Sequence, residues 1–220
     1  MGKEKNKHEI IQPNIILCEG DDATLFIIWY LEYLQKRDAC FESIQAFSFG
    51  GNDELTLFLS DDIRVKPGFD KVSSMIIIRD SESSFDRAVQ SVKSALGNSG
   101  FPVPAKPNTI AQDDKIKVAF SLLPSLSNNK RNGTLEDLYI ENLVEVGVEK
   151  VMDDIYVFLD DLKINGREFT WLHKTKLHTY FSVTDNYMSK KIGQATEAGA
   201  FNYECAEMNS FRKLLKEIIY

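Results

Sequence analysis

The chain of 220 residues lacks any apolar run long enough to cross a bilayer. Its longest, residues 25–31, stops at Glu32 and is preceded by Thr24, so no membrane contact is expected. Residues 1–9 carry Lys, Glu and Asn without an apolar segment ending in small residues, so no secretory leader is expected. Cysteine is scarce. Cys18, Cys40 and Cys205 are an odd number, far apart, with no CxxC pair, which argues against a disulfide framework and a cysteine zinc site. A reducing, cytoplasmic setting is the expectation. Histidine is scarcer still in useful spacing: His8 stands alone. His173 and His178 are five apart, not the four that places two ligands on one helical face. Basic charge is also short, with 26 Lys and Arg against 33 Asp and Glu and a net charge of −7. Such a chain does not bind nucleic acid by bulk attraction, so any contact needs a local basic patch or a bound cation. Gly50-Gly51 has no dinucleotide or P-loop spacing, which leaves no support for ATP hydrolysis.

What is present is an alternation. Residues 14–18 (NIILC) read as a buried strand after Pro13. Ala23, Phe26, Ile27, Tyr30, Leu31 and Leu34 then recur at three- and four-residue steps, the mark of a helix, with Asp22 as its expected N-cap. A second strand is expected over 43–49 and a short helix over 54–59. Residues 74–79 (SMIIIR) form the clearest central strand, followed by a helix through Phe85, Ala88, Val89, Val92 and Leu96. Residues 97–107, rich in Gly and Pro, read as a connection, and 118–123 as another strand stopped by Pro124. Apolar strands alternating with helices predict a mostly parallel α/β sheet covered on both faces. After Gly133 only helical patterns remain: around 135–139, 148–162, 171–181 and 211–219. The expected organisation is a flexible N-terminus (1–12), an α/β domain (13–146) and a helical C-terminal extension (147–220). The stretch 125–132 (SLSNNKRN) reads as polar, basic and mobile.

In open α/β sheets, ligands bind beyond the carboxyl ends of the strands. Two strand ends here are acidic: Cys18-Glu19-Gly20 and Asp80-Ser81-Glu82. Converging carboxylates repel unless a cation neutralises them, and hard oxygen ligands suit Mg²⁺ or Mn²⁺. Gly20 would permit a sharp turn and a close phosphate approach. Each feature alone is a common turn or cap. The pair, at the ends of the two most apolar strands, is the signal.

These residues resemble the TOPRIM domain, whose signature is an apolar strand ending in Glu-Gly and a second ending in Asp-x-Asp. The matching stretches are residues 16–26 (ILCEGDDATLF) and 75–88 (MIIIRDSESSFDRA). The likeness is closest to a compact TOPRIM-related bacterial family of unknown function near the OLD-type (overcoming lysogenization defect) nucleases. It extends through 50–59 (GGNDELTLFL), 133–143 (GTLEDLYIENL) and 211–218 (FRKLLKEI). The resemblance implies a Rossmann-like TOPRIM sheet and phosphodiester chemistry dependent on Mg²⁺ or Mn²⁺, acting on DNA or RNA. It implies Glu19 as general acid/base or metal-linked carboxylate, and Asp80 and Glu82 as metal ligands. The chain departs from the pattern at Glu82, where Asp is usual, and at Ala23, where OLD-type relatives often carry an acid. A metal held there would supply the positive potential that the protein surface lacks.

Other residues carry weaker expectations. Glu136 and Asp137, behind Thr134 as helix cap, read either as complements to the helix dipole or, through Glu136, as a third acidic contribution to the metal site. Lys130, Lys174 and Lys176 are candidate phosphate contacts, with Lys190 and Lys191 as equal rivals to the last two, and Arg131 beside Lys130 in the loop. Cys18 reads as a buried hydrophobe, and Trp29 and Trp171 as core or interface anchors. A second copy of the chain or a partner protein is a further expected contact. The rival reading is a TOPRIM-like binding or regulatory module that keeps the fold with weak or lost chemistry. A small-phosphoester hydrolase is a third.

Overall fold

The computed structural model describes residues 9–51, 54–127, 129–143 and 147–220. Its centre is a five-stranded sheet of order β2-β1-β3-β5-β4. The strands are β1 (Asn14–Cys18), β2 (Ile44–Ser48), β3 (Ser74–Asp80), β4 (Ala111–Gln112) and β5 (Lys117–Leu123). The first three and β5 run parallel, while the two-residue β4 pairs antiparallel at one edge. Because β1 is fully buried, both faces of the strand must be apolar, and Ile15, Ile16 and Leu17 supply both.

The helices divide between the faces. On one lie α1 (Gly20–Gln35) and five helices of the second half: α5 (Leu135–Ile140), α6 (Val148–Ile164), α7 (Leu172–Val183), α8 (Ile192–Glu197) and α9 (Ala206–Ile219). The other face carries a helical stretch and α4 (Phe85–Asn98). That stretch is α2 (Leu55–Leu57), a π-helical turn (Phe58–Asp62) and α3 (Ile63–Val65), longer than the expected 54–59. Strand alternation feeds both layers: Ile76 and Ile78 join the cluster with α1 and α5–α9, while Met75 and Ile77 join the one with α4. Residues 147–220 therefore share a core with the sheet. Phe26, Tyr139 and Phe201 meet edge-on or tilted at its centre, with centroids 4.9–6.3 Å apart.

Several expectations are corrected. Helix α1 starts two residues before Asp22, so Glu19 occupies the N-cap position and Asp22 sits in the first turn. Of the core and interface alternatives for Trp171, the core one is overturned: the residue is 60% exposed, beside His173 at the start of α7. The 125–132 segment is held: Ser125 and Leu126 are buried, and Arg131 pairs with Glu141 through both guanidinium nitrogens. Asn128 lies outside the described residues. So do residues 1–8, including His8, whereas Ile10 is buried and its N–H donates to the Pro67 carbonyl at 2.9 Å. Among the described residues, no helix is long and apolar enough to cross a membrane.

Candidate functional site

The chain passes from β1 to β2 on one side, then returns past β1 to place β3 on the other. The order of strands thus reverses between β1 and β3. Ligands of open α/β sheets bind at such a reversal, and the register there puts Cys18 beside Ile78, so Glu19 and Asp80 emerge within two residues of each other. The Glu19 N–H still donates to the Ile78 carbonyl at 2.9 Å, which fixes the residue to β3. Its side chain turns across: Oε2 accepts from the Asp80 N–H at 3.3 Å and lies 3.5 Å from Arg79 Nε. Gly20, at φ 76°, makes the left-handed turn into α1, and nothing lies within 4 Å of where a Cβ would stand. Its N–H, however, donates to the Gly50 carbonyl at 2.8 Å, so that group is not offered to a phosphate.

Asp80 points to the opposite face from Arg79. Its Oδ1 accepts from the Leu135 N–H, the first of α5, at 3.0 Å. A carboxylate at a helix N-terminus is favoured by the orphan N–H groups and the dipole. Helix α5 is itself set by a capping box, in which the Asp137 Oδ2 accepts from the Thr134 N–H at 2.9 Å. This contact is why Glu136, 5% exposed, stands next to the strand ends. Desolvation, then the charges of Glu19 and Glu136, push Asp80 well above the usual carboxylate range. The Leu135 hydrogen bond opposes the shift, and Glu82 adds a smaller upward push. Four acids are therefore electrostatically coupled at one end of the sheet.

Glu82 is the most exposed of them. Its backbone, at φ 49°, forms a two-way bridge with Gly133: each N–H donates to the other's carbonyl, at 2.7 and 2.8 Å. That bridge and the buried Ser81, whose hydroxyl donates to the Arg131 and Gly133 carbonyls, tie the Asp80-Ser81-Glu82 turn to the loop before α5.

The donors are all carboxylate oxygens, chemically suited to a hard divalent cation. They are not gathered for one as they stand. Among the described residues, no three His, Cys, Asp or Glu side chains form a group that could hold a metal. The physical reason is visible: Glu19 faces Arg79, and Glu136 lies 3.8 Å from Lys174 Nζ. Two protein cations partly neutralise two of the acids. A metal would require those side chains to turn inward.

Among the described residues, the ion pairs bring one candidate lysine, Lys174, to the acids. Lys176 lies 4.7 Å over the Tyr156 ring, and Lys130 pairs with Asp86 at 2.5 Å. Lys191 is at the start of α8 and Lys190 just before it. His173 and His178 lie along α7. Cys18 is fully buried and its thiol is raised far above its ordinary value by desolvation, which leaves no nucleophile. Arg79 is the residue that sequence reasoning missed. Its signal was a guanidinium at the end of an otherwise apolar strand, where a charge is costly unless paired.

A polar cavity of about 240 Å³ adjoins the Asp80-Ser81-Glu82 turn on the α4 side, lined by Arg79, Arg87 and several serines. A wider apolar cleft of about 750 Å³ runs along α1 and β2, lined by Leu25, Ile28, Trp29 and Phe47 among others. None of the four coupled acids lines it. No curated protein and no solved structure matches this chain. Residues 13–220 match the family described as "Protein of unknown function (DUF3226)", and with a match over nearly its whole length the chain belongs to that family.

Proposed function

We propose that the protein is a TOPRIM-type nuclease, with a Rossmann-like sheet, that hydrolyses or nicks phosphodiester bonds in nucleic acid with Mg²⁺ or Mn²⁺. One observation carries the reading: Glu19 and Asp80 stand side by side at the point where strand order reverses, with the Asp80 carboxylate destabilised by desolvation and then by neighbouring acids. An acidic cluster that Arg79 and Lys174 neutralise only in part is costly to the fold, and a ligand of opposite charge at these strand ends would offset that cost. Asp80 and Glu19 would hold the cation, with Glu136 and Glu82 closing the set. The metal, when bound, would activate a water and neutralise charge on a phosphate oxygen. Of the protein's own groups, the Leu135 N–H orients Asp80, and the Asp80 N–H orients Glu19. Arg79 and Lys174 would be released from their acids and turn toward phosphate oxygens.

A second reading is favoured by those same ion pairs. If Arg79 and Lys174 serve as permanent counter-ions, the site is a binding or regulatory module without turnover. Calorimetric titration of Mn²⁺ and Mg²⁺ into wild type and Asp80→Asn, followed by nicking of supercoiled plasmid and cleavage of single-stranded RNA, separates the two. The nuclease reading expects binding and cleavage that Asp80→Asn and Glu19→Gln abolish while the fold persists. A folded wild type that neither binds the ions nor cuts with them refutes it and leaves the binding module.

A further inference from the structure

Strand alternation sends Asp80 to the α1 and α5 face and Arg79 to the α4 face, so the turn that follows has an acidic side and a basic side. On the basic side, Arg79 is 3% exposed and its Nη1 donates to Ser91 Oγ at 2.9 Å. Arg87, one turn earlier on α4, is exposed and lines the same cavity of about 240 Å³, with Ser81, Ser83 and Ser84 around it. Two guanidiniums thus line a small polar hollow beside the exposed Glu82, Arg79 with Glu19 as its counter-ion and Arg87 reaching it from the exposed side of α4.

We infer that this cavity is a phosphoryl-binding subsite, in which Arg87 and Arg79 hold a phosphate next to the acidic strand ends. The inference rests on the nuclease reading for the larger substrate, where this phosphate would flank the bond to be cut. The chemistry needs only the cavity. Arginine presents a planar fork of donors that matches phosphate oxygens two at a time. Ser91 accepts from Arg79 and so has its own O–H to donate, and Ser83 is exposed at the rim. The helix N-terminus is not what holds the anion. The Phe85 N–H donates to Asn132 Oδ1 at 2.8 Å and the Arg87 N–H to Ser84 Oγ at 3.4 Å, so both are already used. Arg79 is the buried half of the site, held by Ser91 and Glu19, and Arg87 is the exposed half. Through Glu19, occupancy of the cavity would also reach the acidic side: drawing Arg79 toward a phosphate loosens its hold on Glu19 and frees that carboxylate.

The test uses the full chain in EDTA at low salt, with fluorescence anisotropy of a labelled single-stranded DNA oligonucleotide and inorganic phosphate as competitor. Arg87→Ala is the chosen variant, because Arg87 is exposed and its loss leaves the core intact. Lys163→Ala, which removes a distant surface charge paired with Asp160, is the control for general electrostatics. The expected result is binding weakened about tenfold or more by Arg87→Ala, partly restored by Arg87→Lys, and unmoved by Lys163→Ala. Competition by phosphate assigns the site to an isolated phosphoryl group. Binding of the oligonucleotide without such competition assigns it to the polymer backbone, and either supports the subsite. Equal weakening by Arg87→Ala and Lys163→Ala, no change in Arg87→Ala, or no binding of either probe overturns it. The nuclease reading fails separately: Arg87-dependent binding with no metal-dependent cleavage sinks that reading alone. Glu19→Gln-sensitive cleavage with an unchanged KM in Arg87→Ala sinks the subsite alone.

Discussion

Replacing Asp80 by Asn removes one charge from the coupled acids while keeping an oxygen to accept from the Leu135 N–H. The carboxyl is raised in the folded protein, first by desolvation and then by Glu19 and Glu136. An acid raised on folding contributes stability that is fully present below its unfolded value, about 3.9 for Asp. That contribution is lost as pH rises through the folded value, because the unfolded chain then releases the proton more readily. At pH 7 the ionised or strained carboxyl is a cost. The neutral amide removes it, less the stronger hydrogen bond that a charged acceptor makes, worth about 1 kcal/mol over a neutral one. With Glu136 5% exposed and the Glu19 side chain 13% exposed, solvent screens the repulsion poorly. A net gain of about 1–2 kcal/mol is expected at pH 7, or roughly 2–8 °C in Tm for a chain of this size. Thermal unfolding followed by circular dichroism from pH 4 to 8 checks it. Wild type should lose ground against Asp80→Asn as pH climbs, and the two should converge near pH 4. Saturating Mn²⁺ should raise wild type by about 2.7 kcal/mol at a hundredfold excess over Kd and leave the variant unmoved. An Asp80→Asn protein that is less stable than wild type across the whole range would refute the electrostatic reasoning.

Two further outcomes follow from the supports of the site. Thr134→Ala should cost about 1 kcal/mol by loss of the α5 cap, and should weaken Mn²⁺ binding as Leu135 and Glu136 loosen, read by calorimetry beside urea unfolding. Arg79→Ala should cost about 3–5 kcal/mol by leaving Glu19 without its cation, and the double variant with Glu19→Gln should recover part of it. Additive losses in that cycle would mean the 3.5 Å contact carries no energy.

The elements that pack on both sides were the legible ones. The run Ile15, Ile16, Leu17 has no polar residue to suggest anything but a buried strand, and the three isoleucines of β3 say the same. What failed had no periodicity to read. Strand β4 is two residues long and exists because Ala111 and Gln112 meet Val118 and Lys117 across the turn at Asp113. Helix α8, six residues, takes its place from packing: a Cβ at Gly193 would come within 2.7 Å of Leu25 on α1. Helix α1 begins earlier than its apolar periodicity implies because a left-handed glycine such as Gly20 can open a helix as well as make a turn. The loop 125–132 looks polar by composition, yet its fixation comes from residues distant in sequence, among them Glu141 and Asp86. At the site, strand ends told where Glu19 and Asp80 would lie. Nothing local told that Glu19 would face Arg79 or Glu136 would face Lys174, since both pairings depend on how side chains settle after the strands and helices meet.

Those pairings also bear on how an acidic protein could handle an anionic substrate. Arg79 and Asp80 are neighbours in sequence, yet strand geometry drives them to opposite faces, with Glu19 touching both through its contacts to Arg79 Nε and the Asp80 N–H. One carboxylate therefore sits between a buried cation and a half-buried acid whose proton it makes harder to lose. Any charge brought to either face changes the balance at Glu19. A phosphate on the α4 side competes for Arg79, and a cation on the α1 side competes for Glu19 itself. Each binding event removes part of what opposes the other, so the two should be cooperative. The measurable consequence is that phosphate or oligonucleotide should tighten Mn²⁺ binding in wild type. Arg87→Ala should abolish that tightening while leaving the affinity for Mn²⁺ alone unchanged. Independent binding of the two ligands would show that Glu19 holds one position throughout, and that the acidic and basic faces of the turn act separately.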